Sequence, residues 1–105
     1  MPKIKIQSEY PDLDKYKFTH NKDIIYFKKG TILYHNPYGP AYIGSDGYKV
    51  YWVDNELHRL DGPARILPNG KEEYWINNIE LTKEEFEKHP KRLKFLGKEH
   101  LTFLV

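Results

Sequence analysis

Short apolar and aromatic runs, without long helical stripes, make up most of this chain. Residues 24–27 are β-branched and aromatic, which is typical of a strand, and a Lys29-Gly30 turn separates them from the apolar residues 31–34. In strands over residues 48–53 and 71–76, neighbouring side chains would point to opposite faces, which places Tyr51 opposite Trp52 and Tyr74 opposite Trp75. The pattern predicts a succession of short strands joined by tight turns, with further short strands at residues 3–6 and 16–18.

Much of this pattern occurs twice. The sequence Gly-Pro-Ala-x-Ile stands at residues 39–43 and again at 62–66, and Tyr-Trp at 51–52 is followed by Tyr-Trp at 74–75. The offset is 23 residues in both cases, and it also separates His35 from His58. A fixed period with turn and aromatic residues in phase predicts stacked repeats, in which each unit packs on the next.

Each unit has the turn signals of a β-hairpin. Asp46-Gly47 and Asn69-Gly70 predict type I′ turns, in which both central residues need positive φ. Gly39-Pro40 and Gly62-Pro63 predict a corner that glycine makes possible, followed by a proline at the first residue of a strand, where its missing N–H costs nothing.

The period ends at Leu81, and a different pattern follows. Thr82 with Glu85 forms a capping box, Pro90 is expected to end that short helix, and a second helical turn is expected to stop at Gly97. We therefore predict a mainly β single domain over residues 1–105, an antiparallel β-hairpin repeat meander with short C-terminal helices. It would comprise an N-terminal segment (1–23), hairpin repeats (24–81) and a helical cap (82–105).

The composition of the chain argues against several classes of function. The 105 residues include 17 basic and 15 acidic side chains, for a formal net charge of +2, and such a balance does not predict nucleic-acid or membrane binding. The chain has no cysteine, which excludes disulfides and thiolate chemistry. With neither a signal peptide nor an apolar run long enough to cross a bilayer, we expect a cytoplasmic protein.

No pattern of a reaction centre occurs in the sequence. There is no phosphate-binding glycine loop, nucleophile elbow or zinc-protease motif, and residues 58–61 carry acid–base side chains without a nucleophile beside them. We expect a protein that is not an enzyme and needs no cofactor or metal.

The two equivalent histidines allow two interpretations. His35 and His58 could form a metal or phosphate site with help from Arg59 or Asp61, or each could fix its Gly-Pro corner through a ring nitrogen. We favour the second, because one histidine per unit at a fixed phase behaves as scaffold. The residues assigned to the scaffold of the repeat are His35, Gly39, Pro40, Gly47, His58, Asp61, Gly62, Pro63 and Gly70.

The aromatic residues of the repeats are the candidates for binding. Tyrosines and tryptophans at 48, 51, 52, 74 and 75 could form a stacking platform for a base, or most of them could be core. A small sheet that is apolar on both faces must be covered on both or leave one face for a partner. The candidate binding residues are Tyr51, Trp52, Arg59, Tyr74 and Trp75. The basic residues at 88, 91, 92, 94 and 98 are expected to be a solvated helix face.

The period, the aromatic pair, the histidine and the Asp/Asn-Gly turn resemble the MORN repeat over residues 24–86. The variant at residues 57–64, Leu-His-Arg-Leu-Asp-Gly-Pro-Ala, departs from the MORN pattern and is similar to divergent repeats in proteins of bacteriophages and large DNA viruses. The resemblance implies antiparallel hairpins and a protein-binding role, such as a phage-encoded inhibitor or modulator of a host defence protein. The alternative is a small-ligand protein, such as a sponge for a signalling nucleotide.

Overall fold

Nine short strands and two short helices make up the part of the chain that the computed structural model describes, residues 15–97. The strands are β1 (Lys15–His20), β2 (Asp23–Lys28), β3 (Tyr42–Ile43), β4 (Lys49–Val50), β5 (Trp52–Val53), β6 (Glu56–Leu57), β7 (Arg65–Ile66), β8 (Glu72–Ile76) and β9 (Ile79–Leu81). The helices are α1 (Lys83–Glu87) and α2 (Pro90–Phe95). The predicted fold class is confirmed: the protein is mainly β and antiparallel, with its helices at the C-terminal end.

Seven of the strands form one antiparallel sheet in the order β1-β2-β3-β4-β7-β8-β9, and β5 pairs with β6 in a separate ribbon. The ribbon has a counterpart in the second repeat. The first half of β8 pairs with β7, and its second half pairs with β9 through Trp75↔Glu80 and Ile76↔Ile79. In the first repeat two strands on either side of Tyr51 make the equivalent pairings: β4 pairs with β3, and β5 pairs with β6.

The tight turns lie elsewhere than the sequence suggested. Positive φ at both central residues, as a type I′ turn requires, occurs at Asp54-Asn55 (50° and 64°) and at Asn77-Asn78 (48° and 66°). It also occurs at Asn21-Lys22, which joins β1 to β2. The short polar side chains of Asn and Asp tolerate this left-handed region.

The prediction of type I′ turns at Asp46-Gly47 and Asn69-Gly70 was wrong. Only Gly47 (φ 96°) and Gly70 (φ 89°) have positive φ there, so each loop is a longer turn closed by a left-handed glycine. The residue before the glycine stabilises the loop through its side chain instead. In the first loop, the carboxylate of Asp46 accepts the N–H of Tyr48 at 3.1 Å.

The corner glycines Gly39 and Gly62 were also explained wrongly. Neither has positive φ, so the corners do not need glycine for its backbone freedom. At Gly62 the requirement is room, since a Cβ atom there would lie 2.8 Å from Cζ of Arg59. At Gly39 the nearest atom would be Nδ2 of Asn36 at 3.6 Å, which is an ordinary contact.

The 23-residue offset recurs in the backbone hydrogen bonds. The N–H of Ala41 donates to the carbonyl of Val50 at 2.9 Å, and the N–H of Ala64 donates to the carbonyl of Glu73 at 2.9 Å. These two alanines are fully buried. Because each sits where the chain leaves its corner and crosses the sheet, a larger side chain has no space there.

The helical end forms as the sequence predicted, with one correction. Thr82 accepts the N–H of Glu85, whose carboxylate accepts the N–H of Thr82, and this completes the capping box. Phe86 of α1 is 2% exposed and packs on Tyr74 with ring centroids 4.8 Å apart. Pro90 does more than end a helix: it is the first residue of α2, capped by His89.

Two predicted features, the strand at 3–6 and the apolar end at 101–105, lie outside the described residues. No helix within residues 15–97 combines the length and apolar content needed to cross a bilayer.

Candidate functional site

The two histidines of the repeats make the same hydrogen bond. Nδ1 of His35 accepts the backbone N–H of Asp54 at 2.9 Å, and Nδ1 of His58 accepts the backbone N–H of Asn77 at 3.0 Å. Both acceptors therefore tie a corner to the two-residue turn of the following hairpin. The ring nitrogen of each histidine therefore bonds to the turn and not, as the sequence had led us to expect, to the Gly-Pro corner.

His58 is neutral at neutral pH. Partial burial lowers its pKa below the ordinary value of 6.5, and the positive charge of Lys91 lowers it further, while Glu56 opposes the shift. Because Nδ1 is an acceptor, the proton of the neutral ring is on Nε2.

Arg59 and Asn36 occupy equivalent positions and perform the same task. Asn36 donates through Nδ2 to the carbonyl of Pro40 at 3.1 Å, and Arg59 donates through Nη1 to the carbonyl of Pro63 at 3.0 Å. Arg59 also donates through Nε to Asp61 at 2.8 Å. The guanidinium therefore closes the second corner, residues 59–63, as the amide closes the first, residues 36–40.

The guanidinium of Arg59 also covers Tyr51, with Cζ 4.0 Å from the ring centroid. Its charge is balanced by Asp61, and its contacts on three sides hold it in one place. Tyr51 itself is fixed by its backbone, which donates to the carbonyl of Ala64 at 2.7 Å. The pair forms a pre-organised floor, in which an arginine lies over an aromatic face.

A cavity of about 330 Å³ opens above this floor, between the two corners. We call it the corner cleft; its lining includes Tyr38, Tyr51, His58, Arg59, Asp61 and Phe95. Tyr38 and Phe95 are 51% and 58% exposed. Two large aromatic side chains therefore stand open to solvent at the border of one cleft, where they would lose that exposure on contact with a partner.

A second cavity of about 370 Å³ adjoins the first. We call it the helix groove; it is lined by His58, Leu60, Asn77, Lys91, Lys94 and Phe95. His58, Leu60 and Phe95 belong to both linings. The corner cleft and the helix groove are therefore neighbours, and we call the two together the depression, which extends from the first corner to α2.

The structure separates the five predicted binding residues. Tyr51 and Arg59 lie together in the corner cleft, but Trp52 packs on Tyr34 with ring centroids 5.5 Å apart. Tyr74 packs under α1, and the indole N–H of Trp75 donates to Glu73 at 3.1 Å.

The predicted aromatic platform is therefore not one surface. In the first repeat Trp52 extends a ring stack that starts at Phe27 and passes through Tyr34. In the second repeat the position equivalent to Tyr34 is Leu57, so no such stack can be built beside Trp75.

The residues at the border of the depression carry no clear signal in the sequence. Tyr38 and Phe95 were assigned no binding role, and Lys94 was expected on a solvated helix face. The only signal available was an aromatic residue following a basic run, which also suits a buried helix face. Their position depends on how α2 lies against the second corner, and no local pattern fixes that.

The side chains of the depression offer no set of metal ligands. Within residues 15–97 no group of three or more His, Asp or Glu side chains is placed to hold a metal ion. Both candidate histidines use Nδ1 as an acceptor from backbone. What the site offers chemically is aromatic surface, a neutral imidazole, and cations on one side.

Comparison with protein-family models, with curated proteins and with solved structures found no match to this chain.

Proposed function

We propose that this chain is a non-enzymatic protein-binding module, and that the corner cleft holds an apolar side chain of the partner. The observation that carries the proposal is the exposure of Tyr38 and Phe95 on a cleft whose floor is already fixed by Arg59. Aromatic residues beside a pre-organised pocket are the type that dominates the energetics of protein interfaces.

The rigidity of the floor supports binding by a pre-formed surface. Arg59 makes two hydrogen bonds and covers Tyr51, so little side-chain entropy remains to be lost when a partner arrives. Tyr38 is positioned from below, because the ammonium of Lys15 lies 5.5 Å from its ring centroid.

The resemblance to divergent repeats of phage and large DNA virus proteins supports a narrower version of this proposal. In that version the module is phage-encoded, and its partner is a host defence protein that it inhibits or modulates. The narrower version depends on the sequence resemblance, and the binding role depends on the cleft.

The competing proposal, a sponge for a signalling nucleotide, is less well supported by the same geometry. A base needs an open ring face for stacking, and two rings of the predicted platform are partly covered, since Arg59 lies over one face of Tyr51 and Tyr34 packs on Trp52. Asp61, whose side chain is 57% exposed, would also repel a phosphate in the corner cleft.

Affinity capture with matched variants tests the proposal. Tagged wild-type protein, Phe95→Ala and Tyr38→Ala are incubated with lysate of the cells in which the protein is made, and the captured protein is purified and titrated by calorimetry. The control is Ile32→Ala, which removes an apolar side chain that is 85% exposed and lies away from the cleft lining.

We expect Phe95→Ala and Tyr38→Ala each to lower the affinity for the purified partner by about tenfold or more. The Ile32→Ala control should bind the partner as the wild type does. A partner that binds all three variants equally, or no partner at all, would contradict the proposal. A nucleotide that raises the thermal midpoint of the wild type, but not of Tyr38→Ala, would replace it.

A further inference from the structure

The cations of α2 lie together without acidic neighbours. Lys91, Arg92 and Lys94 stand within four positions of a helix that contains no Asp or Glu. Within residues 15–97 no carboxylate lies within ion-pair distance of any of the three, whereas Arg59 pairs with Asp61 and Lys88 pairs with Glu84. The helix therefore brings concentrated positive charge to one side of the depression.

Lys91 and Lys94 are exposed, in line with the predicted solvated helix face, whereas Arg92 is partly buried. Arg92 donates through Nη1 to the carbonyl of Leu60 at 2.6 Å, and its guanidinium lies 4.5 Å from the ring centroid of Phe86. Lys91 donates through Nζ to the side chain of Asn77 at 2.5 Å. These contacts dock α2 on the second corner and hold Lys91 in the lining of the helix groove.

Lys94 is the cation most available to a ligand. It is exposed, it lines the helix groove beside Phe95, and no hydrogen bond or ion pair of its side chain occurs within the described part of the chain. A carboxylate that enters the groove therefore finds Lys94 unpaired and Lys91 paired only with a neutral amide.

The charge of the depression is one-sided. In the corner cleft Asp61 balances Arg59, and His58 is neutral at neutral pH because burial and Lys91 lower its pKa. In the helix groove Lys91 and Lys94 are not balanced. A ligand that fits both halves has an apolar group for the cleft and negative charge for the groove.

Building on the protein-binding function proposed above, we infer that the depression takes an acidic segment of a partner protein, with an aromatic or aliphatic side chain in the corner cleft and carboxylates on Lys91 and Lys94. A peptide carries its charges on chosen side chains, so it can be neutral beside Asp61 and acidic beside α2. A nucleic acid presents phosphates at every step and needs a continuous basic track, which Asp61 interrupts.

Fluorescence anisotropy with defined probes tests this inference. The probe is a short labelled peptide in which a tryptophan flanked by leucines precedes a run of glutamates. Its matched control has glutamine at every glutamate position, and an oligothymidylate of similar charge represents nucleic acid. The protein variants are Lys94→Glu and Lys91→Gln, with Lys71→Glu as a charge-reversal control on an exposed residue that lines neither half of the depression.

We expect the glutamate peptide to bind about tenfold more tightly than the glutamine peptide, and Lys94→Glu to remove most of that difference. Lys71→Glu should change the affinity by no more than about twofold, because exposed charges at a distance are screened by salt. Binding of the glutamate peptide should also weaken as salt is added.

Three outcomes would overturn the inference: no binding of the glutamate peptide, equal binding of the glutamine peptide, or tighter binding of the oligothymidylate. The proposed function fails separately. If a captured partner depends on Phe95 but binds Lys94→Glu as it binds wild type, the protein-binding role stands and the acidic ligand is wrong.

Discussion

Nδ1 of His58 accepts the backbone N–H of Asn77 across 3.0 Å, although the two residues are 19 positions apart. His35 accepts the N–H of Asp54 in the same way. Each bond joins a corner to the left-handed turn of the next hairpin, beside backbone hydrogen bonds such as the one from the N–H of Asn55 to the carbonyl of Tyr34 at 2.8 Å. The histidines therefore act as clamps between corner and turn.

The two clamps should contribute unequally to stability. His35 is 4% exposed, whereas the His58 bond is open to solvent. We expect His35→Ala to lower the free energy of unfolding by about 2 kcal/mol and His58→Ala by about 1 kcal/mol, because water can replace the lost acceptor only at the second site. Urea denaturation measures both.

The exposed His20 supplies the control for that comparison, and His20→Ala should change stability by less than about 0.5 kcal/mol. His35→Asn should recover part of the loss, because the Oδ1 atom of Asn can accept the N–H of Asp54. Equal losses at His35 and His58 would show that burial does not decide the strength of the clamp.

Stability should fall on mild acidification because of His58. Its folded pKa is lower than the ordinary 6.5, so as the pH falls through 6.5 the unfolded chain binds a proton that the folded chain does not. The contribution of His58 to the free energy of unfolding is therefore fully present above pH 6.5. It is lost as the pH falls from 6.5 to the folded pKa.

Denaturant midpoints measured from neutral pH to about pH 5 check this, and His58→Asn is the matched variant, because it keeps an acceptor for Asn77 but does not titrate. We expect a flatter pH profile for His58→Asn than for the wild type. Parallel profiles would mean that another group causes the pH dependence.

The corner glycines give a matched pair of substitutions. In Gly62→Ala the new Cβ would meet Cζ of Arg59 at 2.8 Å, whereas in Gly39→Ala the nearest atom lies 3.6 Å away. We expect Gly62→Ala to displace the guanidinium from Tyr51 and Asp61 at a cost of about 1 kcal/mol. Gly39→Ala should stay within about 0.5 kcal/mol of the wild type.

Thermal or urea denaturation measures the stabilities of the two glycine variants, and the NMR signal of the Arg59 Nε–H reports whether the side chain has moved. If the signal is unchanged in Gly62→Ala, the arginine accommodates the methyl group in place, and the glycine has another role. Because Arg59 forms the floor of the corner cleft, partner binding should also weaken in Gly62→Ala.

The capping box of α1 should contribute measurably to the stability of the helical end. Thr82→Ala removes the acceptor for the N–H of Glu85 and should cost about 1 kcal/mol. Thr82→Ser keeps the hydroxyl and should cost much less. Amide hydrogen exchange at Glu85 and urea denaturation distinguish the two, and equal losses would mean that the methyl group of Thr82 matters more than its hydroxyl.

The hairpin character, the 23-residue period and the capping box were all visible in the sequence, because each depends on residues close together in the chain. Local patterns specify local geometry: Thr82 caps a helix whatever lies beyond it. The turn type was the local feature predicted wrongly. Asp46-Gly47 has the composition of a type I′ turn, but the strands on either side are in register for a longer loop, and the two-residue turn falls at Asp54-Asn55.

The repeated pattern along the chain is enough to specify short antiparallel hairpins with a helical end. Which side chains share a surface depends on how those elements pack together. In the repeat, Tyr51 is equivalent to Tyr74 and Trp52 is equivalent to Trp75. The members of each pair nevertheless pack against different neighbours. The depression joins Tyr38 to Phe95, 57 positions apart in the sequence. The repeat period fixes which face of its own strand a side chain lies on. A binding surface depends in addition on where separate elements dock, and no local pattern specifies that.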